Sequence, residues 1–270
     1  MKTILITGAS SGIGRAAAVY FSQQGWNVVA TMRSPEKEKE LNQMDRVLVT
    51  KLDVLEKETI AEAIAKGIER FGKIDVLLNN AGYAAVGALE AANDLQIKKQ
   101  FDVNVFGVIH TTKAILPHFR ASQGGTIINI SSTAGRVAFP LLSLYHASKF
   151  AVEGLSESLF YELATHHIKI KVVEPGNVAT DFTGRSLDIL TDDSLEAYGA
   201  YTELVVNKQM ESFRKHSSPP ELIAKTIFEA ANDPTDRFRY LAGEDAEFLM
   251  RMRVENSDEN FMKTIAANFS

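Results

Sequence analysis

Tyr145 and Lys149 stand four positions apart in the run Tyr145-His146-Ala147-Ser148-Lys149. On a helix that spacing sets both side chains on one face. A free phenol titrates near pH 10, too high for efficient proton transfer at neutrality. An ammonium about 4 Å away, at an effective dielectric of about 20, favours the phenolate by roughly 4 kcal/mol, or about three pKa units before desolvation is charged. A Tyr/Lys pair at this spacing is usually structural, so its weight as chemistry rests on its company.

That company begins at the amino end. An apolar run leads directly into Thr7-Gly8-Ala9-Ser10-Ser11-Gly12-Ile13-Gly14, and a helical pattern follows. Tight turns need the freedom of glycine, a pyrophosphate needs close backbone approach, and the last glycine lets helix and strand pack closely. The free N–H groups and positive end of the helix then bind phosphate. No Lys-Ser/Thr pair follows the glycines, so this is not a Walker loop. After the second apolar run comes Ala30-Thr31-Met32-Arg33, with no acid in 28–34. An acid there would bind the ribose hydroxyls of NAD, whereas an arginine accommodates a 2′-phosphate. Arg33 therefore favours NADP(H) over NAD(H), its other reading being an exposed loop arginine.

The elements that must position these groups alternate along the chain. Short apolar or β-branched runs occur at Thr3–Thr7, Asn27–Thr31, Val47–Leu52, Ile74–Asn79, Thr126–Ser131 and Ile168–Glu174. Amphipathic stretches lie between them near 13–24, 56–71, 93–121 and 146–166. This alternation predicts βαβ units and a doubly wound parallel α/β sheet, because parallel neighbours need crossovers. Near-continuous apolar strands such as Ile127-Ile128-Asn129-Ile130 predict helices on both faces. Residues 181–218 are looser, with Phe182, Leu187, Ile189, Leu190, Tyr198, Tyr201, Met210 and Phe213 scattered through them. Pro219-Pro220 then starts a helix running through Ala231, and Arg239-Tyr240-Leu241 reads as a last strand. No linker or repeat divides the chain, so one domain over 1–270 is expected, with about seven strands.

Composition excludes several classes. The chain has 270 residues, no cysteine and a net charge of −5. Disulfides, thiolate metal sites and cysteine nucleophiles are out, and a reducing cytoplasm is the expected setting. No basic run marks a nucleic-acid surface, and no apolar stretch approaches the roughly 18 residues a membrane helix needs. His110, His118, His166, His167 and His216 lack metal-ligand spacing, so no metal is expected.

Further motifs follow in order: Asn79-Asn80-Ala81-Gly82, Asn104 within Val103-Asn104-Val105, Ser131-Ser132, and Pro175-Gly176-Asn177-Val178-Ala179-Thr180. Together with the glycine loop and the Tyr/Lys pair, this order resembles the short-chain dehydrogenase/reductase family. The resemblance covers roughly Lys2 to Thr180 and continues more weakly to Tyr240. It implies a Rossmann-type fold whose residues 1–180 are the cofactor-binding and catalytic core and whose 181–218 segment covers the substrate. By the same resemblance Gly8, Gly12 and Gly14 hold the pyrophosphate, with Ile13 beside them and Ser10 or Ser11 near the adenosine-ribose phosphate. Asp53 lies by the adenine, its alternative being a plain strand-end residue. Asn80, Ala81 and Gly82 pass along the cofactor, with Asn79 steadying the central strand. Pro175, Gly176, Val178 and Thr180 meet the nicotinamide.

The resemblance also implies a reaction. Ser132, in preference to Ser131, hydrogen-bonds the substrate oxygen; Tyr145 is the acid/base; Lys149 lowers its pKa and holds the ribose. Asn104 bends its helix and keeps a water beside the lysine. His146 is assigned no chemistry. One departure stands out: many NADP-using members have a second basic residue at the place of Ser11, so the coenzyme preference rests on Arg33. The Glu174-Pro175-Gly176 and Thr31-Met32-Arg33 forms look most like the branch with hydroxysteroid and retinol dehydrogenases. Expected substrate walls are Tyr83–Leu89, Arg136–Leu144 and 181–213, where Phe139, Leu141, Leu142, Phe182 and Leu187 suit an apolar ketone, aldehyde or secondary alcohol. The same side chains also suit ordinary core or a subunit contact. Helices 93–121 and 146–166 suit a homo-oligomer, a dimer or tetramer. The competing readings are a catalytically silent NADPH-binding redox sensor and a nucleotide-sugar epimerase-type enzyme.

Overall fold

The computed structural model describes residues 1–180, 186–192 and 195–270. Its strands are β1 (Thr3–Ile6), β2 (Asn27–Met32), β3 (Val47–Lys51), β4 (Val76–Asn79), β5 (Ala84–Val86), β6 (Gly125–Ile130), β7 (Ile168–Pro175), β8 (Leu187–Ile189) and β9 (Arg239–Ala242). Seven of them form one sheet in the order β3-β2-β1-β4-β6-β7-β9, and every pairing is parallel. Ile6 sits opposite both Ala30 and Leu78, so the strand order reverses around β1. A crevice opens at such a switch point beyond the carboxyl ends of the strands. The expected fold class is the observed one.

Alternate strand residues feed two cores, as a sheet covered on both faces requires. Ile4, Ile6, Val28, Ala30 and Leu78 pack with Ala17 and Phe21 of α1 (Gly12–Gln23) and Ile223 and Ile227 of α7 (Pro220–Asn232). Leu5, Val29, Leu77 and Ile127 face Ile60 and Ile64 of α2 (Lys57–Phe71) and Ile115 and Phe119 of α4 (Gly107–Ala121).

Three departures from the sequence reading matter for the site. The stretch 93–121 is interrupted: α3 (Asp94–Phe101), begun by a capping box between Asn93 and Gln96, runs into a π-type turn over Asp102–Phe106 before α4. The 83–89 wall contains β5, paired in parallel with β8 as a separate two-stranded sheet. Each is three residues long, too short for alternation to register. The looser segment holds α6 (Gly199–His216), in which only Val205 is buried, so no apolar stripe announces it. Phe182 lies outside the described residues. Beyond α5 (Ser143–Ala164), α6 and α7, the chain ends in α8 (Glu244–Glu255) and α9 (Asp258–Asn268). Among the described residues no helix is long and apolar enough to cross a membrane.

Candidate active site

The glycine loop is built for close approach. Gly8 and Gly12 take left-handed backbone, at φ +70° and +54°. A Cβ on Gly14 would overlap the Gly8 carbonyl and stand 2.5 Å from Asn80 Nδ2, so α1 packs against the loop without room for a side chain. Asn80 Nδ2 donates to the carbonyls of Thr7 (2.9 Å) and Gly8 (3.1 Å), and Thr7 Oγ1 accepts from the N–H groups of Asn80 (2.9 Å) and Ala81 (3.0 Å). The loop after β1 and the loop after β4 are thus one rigid piece. No side chain caps α1, which leaves its first-turn N–H groups available to an anion.

A single cavity of about 920 Å³ runs from this loop to the Tyr/Lys pair. Gly8, Ser10, Ser11, Gly12 and Ile13 line one end, with Arg33 and Asp53 across from them. Asn80, Ala81, Gly82, Pro175, Gly176, Val178 and Thr180 line it as well, Thr180 Cγ2 lying 3.3 Å from where a Cβ on Gly12 would stand. These residues fit a dinucleotide: two left-handed glycines, a third with no space for a Cβ, and an uncapped helix start. Arg33 is exposed, and no ion pair among the described residues engages it. Arg15, beside the glycines, is taken up instead by Glu38 and Glu40, each at 2.6 Å. Asp53 does two things: Oδ1 accepts from Leu55 N (3.0 Å) to shape the turn into α2, and the residue also lines the cavity.

Asn79 is buried: its Nδ2 donates to Asn129 Oδ1 (2.9 Å) and Thr112 Oγ1 (3.2 Å), while its Oδ1 accepts from Thr111 Oγ1 (2.6 Å). This satisfied buried network ties β4, β6 and α4 together.

Ser132, Tyr145 and Lys149 meet at the other end of the cavity. Ser132 Oγ accepts from Ala134 N (3.1 Å) and donates weakly to Pro175 O (3.3 Å). Ser131 also lines the cavity, but its Oγ is buried with no partner among the described residues. Tyr145 lies in the first turn of α5 and Lys149 one turn further, with Nζ donating to Ile130 O (2.9 Å) and standing 5.8 Å from the Tyr145 ring centre.

The electrostatics differ from the expectation. Burial pushes Tyr145 up to about 12, a hydrogen bond with Ser132 offsetting part of the rise. Burial likewise pushes Lys149 down to about 8, against the pull of Glu153. In the chain by itself burial is the largest cause at Tyr145, with the Lys149 Nζ 5.8 Å from the ring centre, whereas the expectation took about 4 Å and charged nothing for burial.

Asn104 ties the site to the fold. The π-type turn is centred on it, so its helix is indeed irregular there. Both donors of its side chain are used: Nδ2 donates to Tyr83 O (2.8 Å) and Ser148 Oγ (3.1 Å), while Oδ1 accepts from Tyr83 N (2.9 Å). Gln100 reinforces this through Ala85 N (2.7 Å) and Tyr83 O (3.0 Å). These amides lock β5 to the start of α5 and so fix Tyr145 and Lys149; none of their contacts reaches the lysine.

Sequence reasoning missed other residues around the site. His146 Nδ1 donates to Ala134 O (2.9 Å) and Nε2 accepts from Phe139 N (2.9 Å), clasping the 134–139 loop. Asp245, at the start of α8, accepts from Asn177 N (2.6 Å) and leaves no room for a Cβ on Gly176. Neither shows in spacing, because each acts on distant main chain.

The substrate end is walled by Tyr83, Val86, Phe139, Leu142, Leu187 and, from α6, Val206, Met210 and Phe213. Gln209 Nε2 donates to Pro140 O (3.0 Å), holding α6 over the site. Arg136 and Leu141, expected in the wall, do not line the cavity. Arg136 pairs with Glu174 (3.3 Å), and Leu141 contributes a carbonyl that accepts from Gly87 N (2.8 Å). Among the described residues no cluster could hold a metal.

The short chain dehydrogenase sequence pattern matches residues 2–188. An uncharacterized oxidoreductase of Schizosaccharomyces pombe is 39% identical over 86% of this chain and 97% of its own. The 3-ketodihydrosphingosine reductase of Bacteroides thetaiotaomicron is 34% identical over 97% and 95%. Retinol dehydrogenase 8 of Bos taurus is 35% identical over 84% and 76%. Among solved structures, a short-chain dehydrogenase from Streptomyces avermitilis superposes with a TM-score of 0.83 at 33% identity, covering 94% and 93%. A Burkholderia phymatum family member in complex with NAD gives 0.79 at 26% over 94% and 93%. A Thermococcus sibiricus alcohol dehydrogenase complexed with 5-hydroxy-NADP gives 0.74 at 25% over 90% and 96%. The chain belongs to the short-chain dehydrogenase/reductase family and is an NAD(P)-dependent oxidoreductase.

Proposed function

We propose that the protein moves a hydride between NADP(H) and an apolar carbonyl or secondary alcohol, with Tyr145 as general acid/base. The observation that carries this reading is one continuous cavity reaching from the glycine loop and Arg33 to Ser132, Tyr145 and Lys149. Gly8, Gly12 and Gly14 hold the pyrophosphate, Ser10 or Ser11 and Arg33 the phosphate of the adenosine ribose, and Asp53 the adenine. Bound nicotinamide supplies or accepts the hydride.

For reduction, Ser132 Oγ–H turns from the Pro175 carbonyl to the substrate oxygen, where negative charge develops. Tyr145, protonated at neutral pH, gives that oxygen its proton. Lys149 stabilises the phenolate left behind and holds the nicotinamide ribose. Val178 and Thr180 orient the carboxamide. Reprotonation runs through Lys149; from Asn104 it draws on main chain alone, since its side chain is committed. Oxidation reverses these steps and needs Tyr145 deprotonated, which its burial opposes, so it runs best in alkali.

The apolar walls support a hydrophobic ketone, aldehyde or secondary alcohol, and the names of the B. thetaiotaomicron and bovine relatives denote lipid-like substrates. Segment 181–218 acts as the lid, latched through Gln209. Phe106, Phe150 and Tyr161 are exposed on the α4 and α5 side, which supports a homo-oligomer. The absence of cysteine supports a reducing cytoplasm. The test is oxidation of NADPH and of NADH against a panel of apolar ketones and aldehydes. Turnover favouring NADPH supports the reading; turnover confined to charged or sugar substrates overturns the substrate class.

A further inference from the structure

Behind the site lies a second set of buried charges. Glu153 follows Lys149 by one helical turn and is 5% exposed; Glu174, on β7, is fully buried at 0%. Arg239 Nε donates to Glu153 Oε2 (3.2 Å) and stands 3.1 Å from Glu174 Oε1, so one guanidinium nitrogen lies between two carboxyls. Arg239 Nη2 is spent on Glu157 (3.0 Å), and Arg136 reaches Glu174 at 3.3 Å. Glu153 Oε1, Glu174 Oε2 and Ser131 Oγ are buried with no hydrogen-bond partner among the described residues. Ser131 Oγ and Glu153 Oε1 crowd the bare side of Gly135, at 2.6 and 3.2 Å from where a Cβ would stand.

We propose that Glu153, backed by Glu174, is a positioning residue for the reaction: this carboxyl pair is the buried counter-charge that keeps the Lys149 side chain an ammonium.

The charge balance supports this. Glu153, Glu157 and Glu174 face Arg136 and Arg239, which leaves one negative charge unmatched unless a carboxyl is protonated or Lys149 completes the set. Among the described residues Lys149 donates only to the Ile130 carbonyl, a neutral group, so its charge needs support from elsewhere. Burial lowers its pKa to about 8, and Glu153 is the group that opposes the fall. Glu174 is raised to about 7 by burial and then by Glu153, against Arg136 and Arg239. It therefore ionises as pH rises toward the range where Lys149 is losing its proton, and its new charge favours retention of the ammonium. Residues on β7 and β9 thereby act on the lysine through α5.

The inference rests on Lys149 working as proposed above, and the experiment separates the two. Lysines of the full chain are labelled at ¹³Cε and the Lys149 signal, assigned by its loss in Lys149→Arg, is titrated by NMR. In Glu153→Gln its midpoint falls by more than about one pH unit; unit charges about 6 Å apart at an effective dielectric of about 20 are worth about two. Glu174→Gln, which holds that carboxyl neutral, lowers it in the same direction by less, and carries the test if Glu153→Gln does not fold. The alkaline limb of the kcat/KM profile moves with the NMR midpoint. A midpoint unmoved in the folded variants overturns the proposal. A shifted midpoint in a protein without oxidoreductase turnover leaves the coupling standing and overturns the functional reading instead.

Discussion

Replacing His146 removes a clasp whose strength can be worked from its contacts. The imidazole is 4% exposed, and both nitrogens are used, on Ala134 O and Phe139 N at 2.9 Å each. A carbonyl only accepts and an N–H only donates, so Nδ1 carries the proton and the ring is neutral. His146→Ala leaves two main-chain groups without partners and opens a cavity against Phe139 and Tyr145, whose rings lie 5.9 and 6.2 Å away. Each orphaned group costs about 1–3 kcal/mol, and partial rehydration brings the expected total to about 2–4 kcal/mol. Burial lowers the pKa of His146 in the fold, so as pH falls the unfolded chain takes up the proton first. Its stabilisation is full above about pH 6.5 and declines below that by up to about 1.4 kcal/mol per pH unit. Glu174, raised in the fold, works in the opposite sense between its ordinary range and about 7. Only the difference between wild type and His146→Gln, which retains a donor and an acceptor, isolates the histidine. Urea unfolding near neutrality and again about one pH unit below the unfolded histidine pKa measures that difference. Equal pH slopes, or a His146→Ala loss under about 0.5 kcal/mol, would refute the reasoning.

If Arg33 clamps a 2′-phosphate as proposed, Arg33→Asp weakens NADPH binding by about 10- to 100-fold while leaving NADH within about threefold, as read by nucleotide fluorescence titration. Equal weakening of both coenzymes would remove Arg33 from coenzyme choice. Gly14→Ala forces a methyl into the Gly8 carbonyl and Asn80, so α1 must shift; dinucleotide binding falls more than about 100-fold with a stability loss of about 1–3 kcal/mol. Near-wild-type binding by that variant would show that the cradle tolerates displacement.

What the sequence reveals and hides follows from locality. The seven-stranded sheet was legible because apolar runs such as Val76–Asn79 alternate with helices of clear period, and the glycine loop because its demands fall on consecutive residues. Tyr145 and Lys149 were legible because one helical turn joins them. The π-type turn at Asp102–Phe106 was not, since Asn104 there bonds Tyr83 and Gln100 before it bonds Ala85 of β5, contacts that periodicity does not report. Nor was the pairing of β5 with β8, which joins residues about a hundred positions apart. The roles of His146 and Asp245 stayed hidden for a related reason: each holds main chain that only the fold brings near. The Tyr145 environment could not be read either, because spacing reports which charges are close and says nothing of how dry the site is.

The most direct test of the central claim compares wild type and Tyr145→Phe for NADPH oxidation with an apolar ketone or aldehyde that wild type reduces, with NADPH binding measured alongside. The account predicts that turnover falls by at least about 100-fold, the scale of a lost general acid, while NADPH binding changes by less than about threefold. Turnover by Tyr145→Phe at the wild-type rate would contradict it.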